Sequence, residues 1–382
     1  MTESFVDNAL QLLKDLIAVD SVNPSLVPGA AGEAAVARTI AEAMRGIGLT
    51  VETQEAAPDR PNVVGTLEGR QPGRSLMFCG HIDTVGVAGM KAPFEAAERN
   101  GRIYGRGSQD MKSGVAAMID VARVIAESGG LAAGKLVIAC VVDEEHASIG
   151  ADALVTKWRA DAAVVTEPTD LQVAIAHKGF EWVEIETEGV AAHGSRPREG
   201  RDAIRLMARV LNGLDALDRA LQSRAPHALL GTGSLHASLI EGGRELSSYP
   251  DRCHLQMERR TIPGEAPGAA TREVDDLLTR LRADDGDFKA AHKEMFARSP
   301  YEIAADHELP KAMMRALVAP VAPTPIGMSF WTDAAILGDA GIPSILFGPS
   351  GAGLHSVEEW VDAQSVLQCR DALVALTRDW CR

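Results

Sequence analysis

Ser75-Leu-Met-Phe-Cys-Gly-His81-Ile-Asp83-Thr-Val85 is an apolar run closed by glycine, then a histidine and a carboxylate two residues apart. A run this short, ending at Gly80, predicts a buried strand. At a strand end, residues i and i+2 share a face. His81 and Asp83 therefore pair a metal-capable imidazole with a carboxylate able to orient it. Alone, the pair reads more readily as an ordinary surface contact, and the rest of the chain decides.

Upstream, Val6, Leu10, Leu13 and Ile17 recur at helical spacing, which predicts a helix over 4–18, ended by Asn23-Pro24. A second helix is expected over Ala34–Ile47, closed by Gly48. Strands are expected at Val51–Gln54 and Asn62–Leu67. Downstream, the glycine-rich loop Gly101–Asp110 leads into a helix over Lys112–Glu127. The apolar run Lys135–Val142 ends in Asp143-Glu144-Glu145, and Ala162–Val165 ends in Glu167-Pro168. Strands alternating with helices predict an α/β domain with a mostly parallel sheet flanked by helices.

After about His177 the texture changes. Phe180–Glu186, Ser234–Ile240, Cys253–Glu258 and Phe288–Phe296 read as strands, and 202–218 and 271–283 as helices. That order, β-α-β-β-α-β, is that of a ferredoxin-like α+β module. The α/β texture returns near Pro310, with Asp333–Leu337, a strand at Ser344–Phe347, the loop Gly348–Gly353, His355 and a closing helix from about Asp362. The expected organisation is a split domain, 1–178 and 300–382, interrupted by an inserted module over 179–299.

The 382 residues exceed one ordinary core, in keeping with two domains. The net charge of −15 opposes nucleic-acid or anionic-membrane binding, which needs a basic face that nothing here supplies. Cys79, Cys140, Cys253, Cys369 and Cys381 are odd in number and far apart, against a disulfide framework or a cysteine-based zinc site. Cys79 and Cys140 lie in apolar runs and are expected in the core. Met1-Thr-Glu-Ser-Phe5 lacks a basic n-region and an apolar h-region, and no apolar stretch reaches spanning length. A reducing cytoplasm is expected.

Ligands of open α/β sheets collect at the carboxyl ends of the strands. His81, Asp110, Glu145 (or Glu144), Glu167 and His355 fall at such ends or in the following loops. Two imidazoles and three carboxylates suit zinc, cobalt or manganese. Five ligands exceed what one catalytic zinc takes, whereas two metals sharing a carboxylate use them fully. On an extended backbone Glu144 and Glu145 point to opposite sides, so one can bind metal while the other serves as general base. Gly105-Arg-Gly107 lacks the third glycine of a dinucleotide loop and runs into Asp110. His146, His177, His227, His236, His254, His292 and His307 are expected to be structural.

Seven motifs in order resemble the di-zinc amidohydrolases that include acetylornithine deacetylase, succinyl-diaminopimelate desuccinylase, aminoacylase and carboxypeptidase G. They are Gly80–Val85, Gly105–Gly114, Asp143–Glu145, Thr166–Thr169, Ala192–Pro197, Glu258–Gly264 and Leu354–Ser356. The resemblance implies that Asp110 bridges two zinc ions per subunit, with cobalt or manganese as substitutes. His81 and Glu167 would complete one site, and Glu145 and His355 the other. It makes Glu144 the general base and Asp83 the group orienting His81. The inserted module becomes a lid and dimerisation domain whose His193 reaches the neighbouring subunit's site, and Arg260 would bind a substrate carboxylate. Glu258, Arg259 and Arg260 also read as a solvated charge cluster. Ser247 stands where the family often has Asn, which unsettles the lid-side substrate contacts. The implied function is hydrolysis of a small N-acyl amino acid amide by a homodimer. A dipeptidase or glutamate carboxypeptidase is the nearest alternative, and a metal-free binding protein the alternative from another class.

Overall fold

A computed structural model describes residues 7–318 and 324–382. Helix α1 spans Asn8–Ala18, with the Asp7 carboxylate accepting from the Ala9 N–H. The expected helical residues 4–6 and the Met1–Phe5 reading lie outside the described residues. Helix α2 (Ala34–Ile47) stops where Gly48 turns left-handed at φ +96°. Then follow β1 (Thr50–Ala57), β2 (Arg60–Glu68), β3 (Gln71–His81), β4 (Ala97–Arg99), β5 (Arg102–Tyr104) and α3 (Lys112–Glu127). Next come β6 (Ala133–Val141), α4 (Ile149–Lys157), β7 (Ala162–Val165) and β8 (Ala174–His177). The insertion holds β9 (Gly179–Glu188), α5 (Ala203–Gln222), β10 (Ser234–Gly242), β11 (Arg252–Thr261), α6 (Ala269–Asp284) and β12 (Lys289–Arg298). The chain closes with β13 (Tyr301–Glu302), α7 (Glu308–Ala316), β14 (Ile326–Met328), α8 (Ala334–Asp339), β15 (Ser344–Leu346), β16 (Gly351–Ala352), β17 (Trp360–Asp362) and α9 (Ala363–Trp380).

The chain divides into two compact units. The first runs to Ile175 and resumes over Ile303–Ile326 and Thr332–Arg382, and the second is Ala176–Glu302 with Gly327–Trp331. In the first, the strands run β1-β2-β6-β3-β7-β15-β8. The centre, β6-β3-β7-β15, is parallel and the flanking pairs are antiparallel. β3 lies between β6 and β7, so Leu76, Met77, Phe78 and Cys79 are fully buried. A strand covered on both faces needs an unbroken apolar run rather than alternation. Each large side chain there contributes about 1.5–3 kcal/mol by burial. Helix α3 packs against α1 and α9, and small residues such as Gly114, Ala116 and Ala117 let its first turns approach the sheet.

The second unit is the expected β-α-β-β-α-β module, an antiparallel sheet ordered β10-β11-β9-β12. Val183 and Ile185 alternate inward from β9 against Leu206, Met207 and Val210 of α5 and Val274 and Leu278 of α6. β10 is an edge strand, and Leu239 and Ile240 on it are exposed.

Candidate active site

β3 ends in His81, β6 runs into Asp143-Glu144-Glu145, and β7 runs into Glu167. These strands are parallel neighbours, so their carboxyl ends open on one side. Two loops complete the cluster: 105–110, before α3, brings Asp110, and the loop between β16 and β17 brings His355. The first depends on Gly107, at φ +79°, where a Cβ would stand 2.9 Å from Thr84 Cγ2. The Asp110–Met111 peptide is cis.

Asp110 is the hub. Its Oδ1 lies 3.1 Å from His81 Nε2 and its Oδ2 3.3 Å from His355 Nε2. His81 Nε2 is also 3.7 Å from Glu167 Oε1 and 3.9 Å from Glu144 Oε2. His355 Nε2 is 3.0 Å from Glu145 Oε2. Six side chains that the sequence separates by up to 274 positions (81 to 355) thus meet in one cluster. His81–Glu144–Glu167 and His81–Asp110–Glu145 each present three donor atoms within 4.8 Å of one another. Imidazole with carboxylate is a donor set suited to a borderline divalent cation.

The electrostatics point the same way. Burial opposes a charge on His81, but hydrogen bonds to Asp110 and Asp83 and the Glu167 and Glu144 charges outweigh it and hold its pKa well above the ordinary value. Hydrogen bonds to Asp110 and Glu145 push His355 up to about 10. Burial raises Glu144 and Glu167 well above the usual carboxylate range, and neighbouring carboxylates add to it. Burial and the Asp110 charge raise Glu145 to about 7. Burial would raise Asp110 too, but its two histidines outweigh that and hold it low. Carboxylates crowded this closely raise one another's pKa, and divalent cations bound among them would neutralise the same cluster.

Asp83 is buried behind the cluster. Its Oδ1 accepts from the Glu144 N–H at 3.1 Å and its Oδ2 from the Glu145 N–H at 3.2 Å. Its carboxylate stands 3.6 Å from His81 Nδ1, which lies nearer, at 3.0 Å, to the Asp83 carbonyl. Asp83 thus holds the two-glutamate turn by hydrogen bonds and faces the histidine as well. Asn23, read from sequence only as a helix end, donates to Asp83 at 2.7 Å and to Asp143 at 3.0 Å. Arg60 joins Asp143 at 2.7 Å and pairs with buried Glu33. No local pattern marks these three residues as supports.

His193 and Arg260 lie in the second unit. His193 is exposed, its Nδ1 2.8 Å from Ser195 Oγ. Arg260, on β11, donates from Nε to Glu258 Oε1 at 2.6 Å, which leaves its Nη edge. Arg259 departs from the solvated-cluster reading: it is fully buried against Glu265 and Glu273, because β11 alternates it inward. All five cysteines are buried and free. His177 is buried beside the rings of Tyr301 and Trp331. His307 accepts from the Leu309 N–H to cap α7.

Residues 77–379 match the family described as peptidase family M20/M25/M40. The chain is 26% identical to N-formyl-4-amino-5-aminomethyl-2-methylpyrimidine deformylase of Bacillus subtilis (strain 168), over 99% of this chain and 96% of the relative. It is 28% identical to acetylornithine deacetylase of Proteus mirabilis (strain HI4320), over 97% and 96%. A solved dinuclear metal-binding peptidase of the M20 family from Bacillus subtilis has a similar fold: TM-score 0.73, 15% identity, 98% of this chain and 97% of that one.

Proposed function

The chain belongs to peptidase family M20/M25/M40 and is a metal-dependent hydrolase, and from that premise we propose that it cleaves the amide bond of a small N-acyl amino acid at a two-metal centre. One observation carries this reading: the two oxygens of Asp110 face two different histidines, 3.1 and 3.3 Å away. Asp110 would be shared, with His81 and Glu167 on one zinc, and Glu145 and His355 on the other. Cobalt or manganese suits the same donors. Bound there, the cations would supply a water that ionises near neutral pH and an electrophile for the acyl carbonyl.

The chain's own groups do the rest. Glu144, half-buried just past the end of β6 and 3.9 Å from His81 Nε2, accepts the proton of the attacking water and delivers it to the leaving amine. Asp83 keeps the backbone of Glu144 and Glu145 in place through the two hydrogen bonds described above. His193 donates to the developing oxyanion of a neighbouring subunit's site, a contribution of about 3–4 kcal/mol for one good donor. The exposed edge strand β10 is where a homodimer would form, and an unpaired edge with Leu239 and Ile240 invites pairing with a second copy. Five free, buried cysteines suit a reducing compartment. Among the described residues no helix is long and apolar enough to cross a membrane.

Arg260 holds the substrate carboxylate through its Nη edge. Its pairing with Glu258 favours a second reading, an N-acyl amine without a carboxylate, as in the substrate named for the deformylase relative. Zinc-loaded protein should be assayed on N-acetylornithine, N-succinyl-diaminopimelate, a dipeptide with C-terminal glutamate and an N-formyl aminomethylpyrimidine. Turnover of the first pair supports the deacylase, the dipeptide alone supports a carboxypeptidase, and the pyrimidine alone supports the second reading. Uptake of less than about one metal equivalent, where a shared-carboxylate centre takes two, would sink the metal centre itself.

A further inference from the structure

Arg106 and Glu359 form an ion pair sealed from solvent, with Nη1 2.7 Å from Oε2 and side chains 3% and 0% exposed. Its remaining hydrogen bonds reach all around the metal-site loops. Glu359 Oε1 accepts from the Gln109 N–H at 2.8 Å and from the N–H of Asp110 itself at 3.0 Å. Oε2 accepts from the Gly107 N–H at 3.0 Å. Arg106 Nη2 donates to the carbonyls of Gly86, at 3.1 Å, and Ser356, at 2.9 Å. Gly86 follows His81 and Asp83 in one loop, and Ser356 follows His355 directly. Four hydrogen bonds saturate the carboxylate, and backbone N–H groups converging on one anion form a rigid nest.

A buried ion pair is weak evidence for stability, because desolvation offsets the attraction. What the pair does supply is direction: charge-assisted bonds with fixed geometry. We propose that Arg106 and Glu359 are positioning residues of the metal centre, one ion pair that holds in register the three loops carrying His81, Asp110 and His355. Neither side chain touches the cluster. Glu359 acts through the Asp110 N–H, and Arg106 through the carbonyl beside His355. This rests on the two-metal reading above. Without the pair, the Asp110 loop and the segment bearing His355 keep the Gly105 N–H to Glu359 carbonyl bond at 3.1 Å and the β5–β17 pairing, but the turn at Gly107–Asp110 loses its anchor and the two oxygens of Asp110 lose their alignment on the two histidines.

The test is cobalt binding to the full chain. Glu359→Gln keeps the volume but sets an amide N–H₂ against backbone N–H donors, and Arg106→Lys cannot fork between Glu359 and two carbonyls. Both are titrated with cobalt alone, against a competing chelator, where circular dichroism shows them folded. The wild type should take two equivalents. Each variant should bind at least one of them about 10–100-fold more weakly, the usual loss when a ligand's outer support is removed, and its cobalt visible bands should shift. A packing role would leave those bands unmoved, so wild-type affinity and bands in a folded variant overturn the proposal. If Glu359→Gln does not fold, Arg106→Lys decides by the same criterion. A wild type that takes up no cobalt would overturn the two-metal reading first, and this proposal with it, and so is told apart from a failure of the pair alone.

Discussion

Glu144 and Glu145 sit side by side on a turn rather than on the extended backbone expected, because β6 ends at Val141, yet their surroundings separate them. Glu145 lies against His355, and Glu144 lies 3.9 Å from the His81 ring. Glu144→Gln removes a proton acceptor without removing an assigned ligand. It should retain two metals and lose about 10²–10⁴ of turnover, the span usual for a general base. Metal analysis alongside steady-state rates checks this, and turnover within about tenfold of wild type, below that span, would make the assignment wrong. His177 carries a different prediction. Burial lowers its pKa to about 4, so the folded state holds the ring neutral. The folded pKa lies below the unfolded one, so its stabilising effect is complete above about pH 6.5 and is lost as pH falls towards 4. The drop from the ordinary 6.5 to about 4 corresponds to about 3 kcal/mol. His177→Phe should show that much less acid destabilisation than wild type in urea titrations at pH 7 and pH 4. At this scale the clustered side chains stood out in the sequence by position, His81 and Glu167 after apolar runs and Asp110 and His355 after glycine-rich loops. The sequence concealed Asn23, Arg60 and Glu359, whose partners lie 60, 83 and 249 positions away: Asp83, Asp143 and Asp110.

Strand β3 explains why the expected elements were legible where they bury an unbroken stretch. Its run Leu76–Cys79 has both faces covered, so periodicity and length agree. Phe78→Ala opens a cavity in the centre of the sheet and should cost about 3–5 kcal/mol, read from the denaturant midpoint. Helices α2 and α3 and strand β7 fall on their expected limits, and Gly48 shows why: its left-handed φ ends a helix at a defined residue. Helix α4 was not foreseen. It buries only Gly150, Ala151 and Leu154, too few to leave a 3.6-residue stripe. β10 carries the oligomer prediction. Replacing Leu239 and Ile240 together by Lys charges the exposed edge and should shift a dimer towards monomer in sedimentation velocity, with the far-ultraviolet spectrum unchanged. An unchanged sedimentation coefficient would remove β10 from the interface.

For the molecule as a whole, metal binding at the proposed centre would be linked to folding, because the cluster assembles from segments that only the fold brings together. At free zinc 100 times its dissociation constant, stability should rise by about 2.7 kcal/mol per site, and a chelator should reverse it. Calorimetry with and without zinc reads the change, and an unmoved midpoint would contradict a resident metal. By itself the sequence determined the alternation of strands and helices, the inserted β-α-β-β-α-β module and the residue types of the centre, since each is written in local periodicity and in residues at strand ends. Only the tertiary structure decided that Asp110 offers one oxygen to each histidine, that Asp83 ties down the two-glutamate turn, and that Arg106 and Glu359 clasp three loops. The reason is physical: hydrogen bonds act over about 3 Å in space, and no local pattern records which distant backbone groups a fold will bring within that distance.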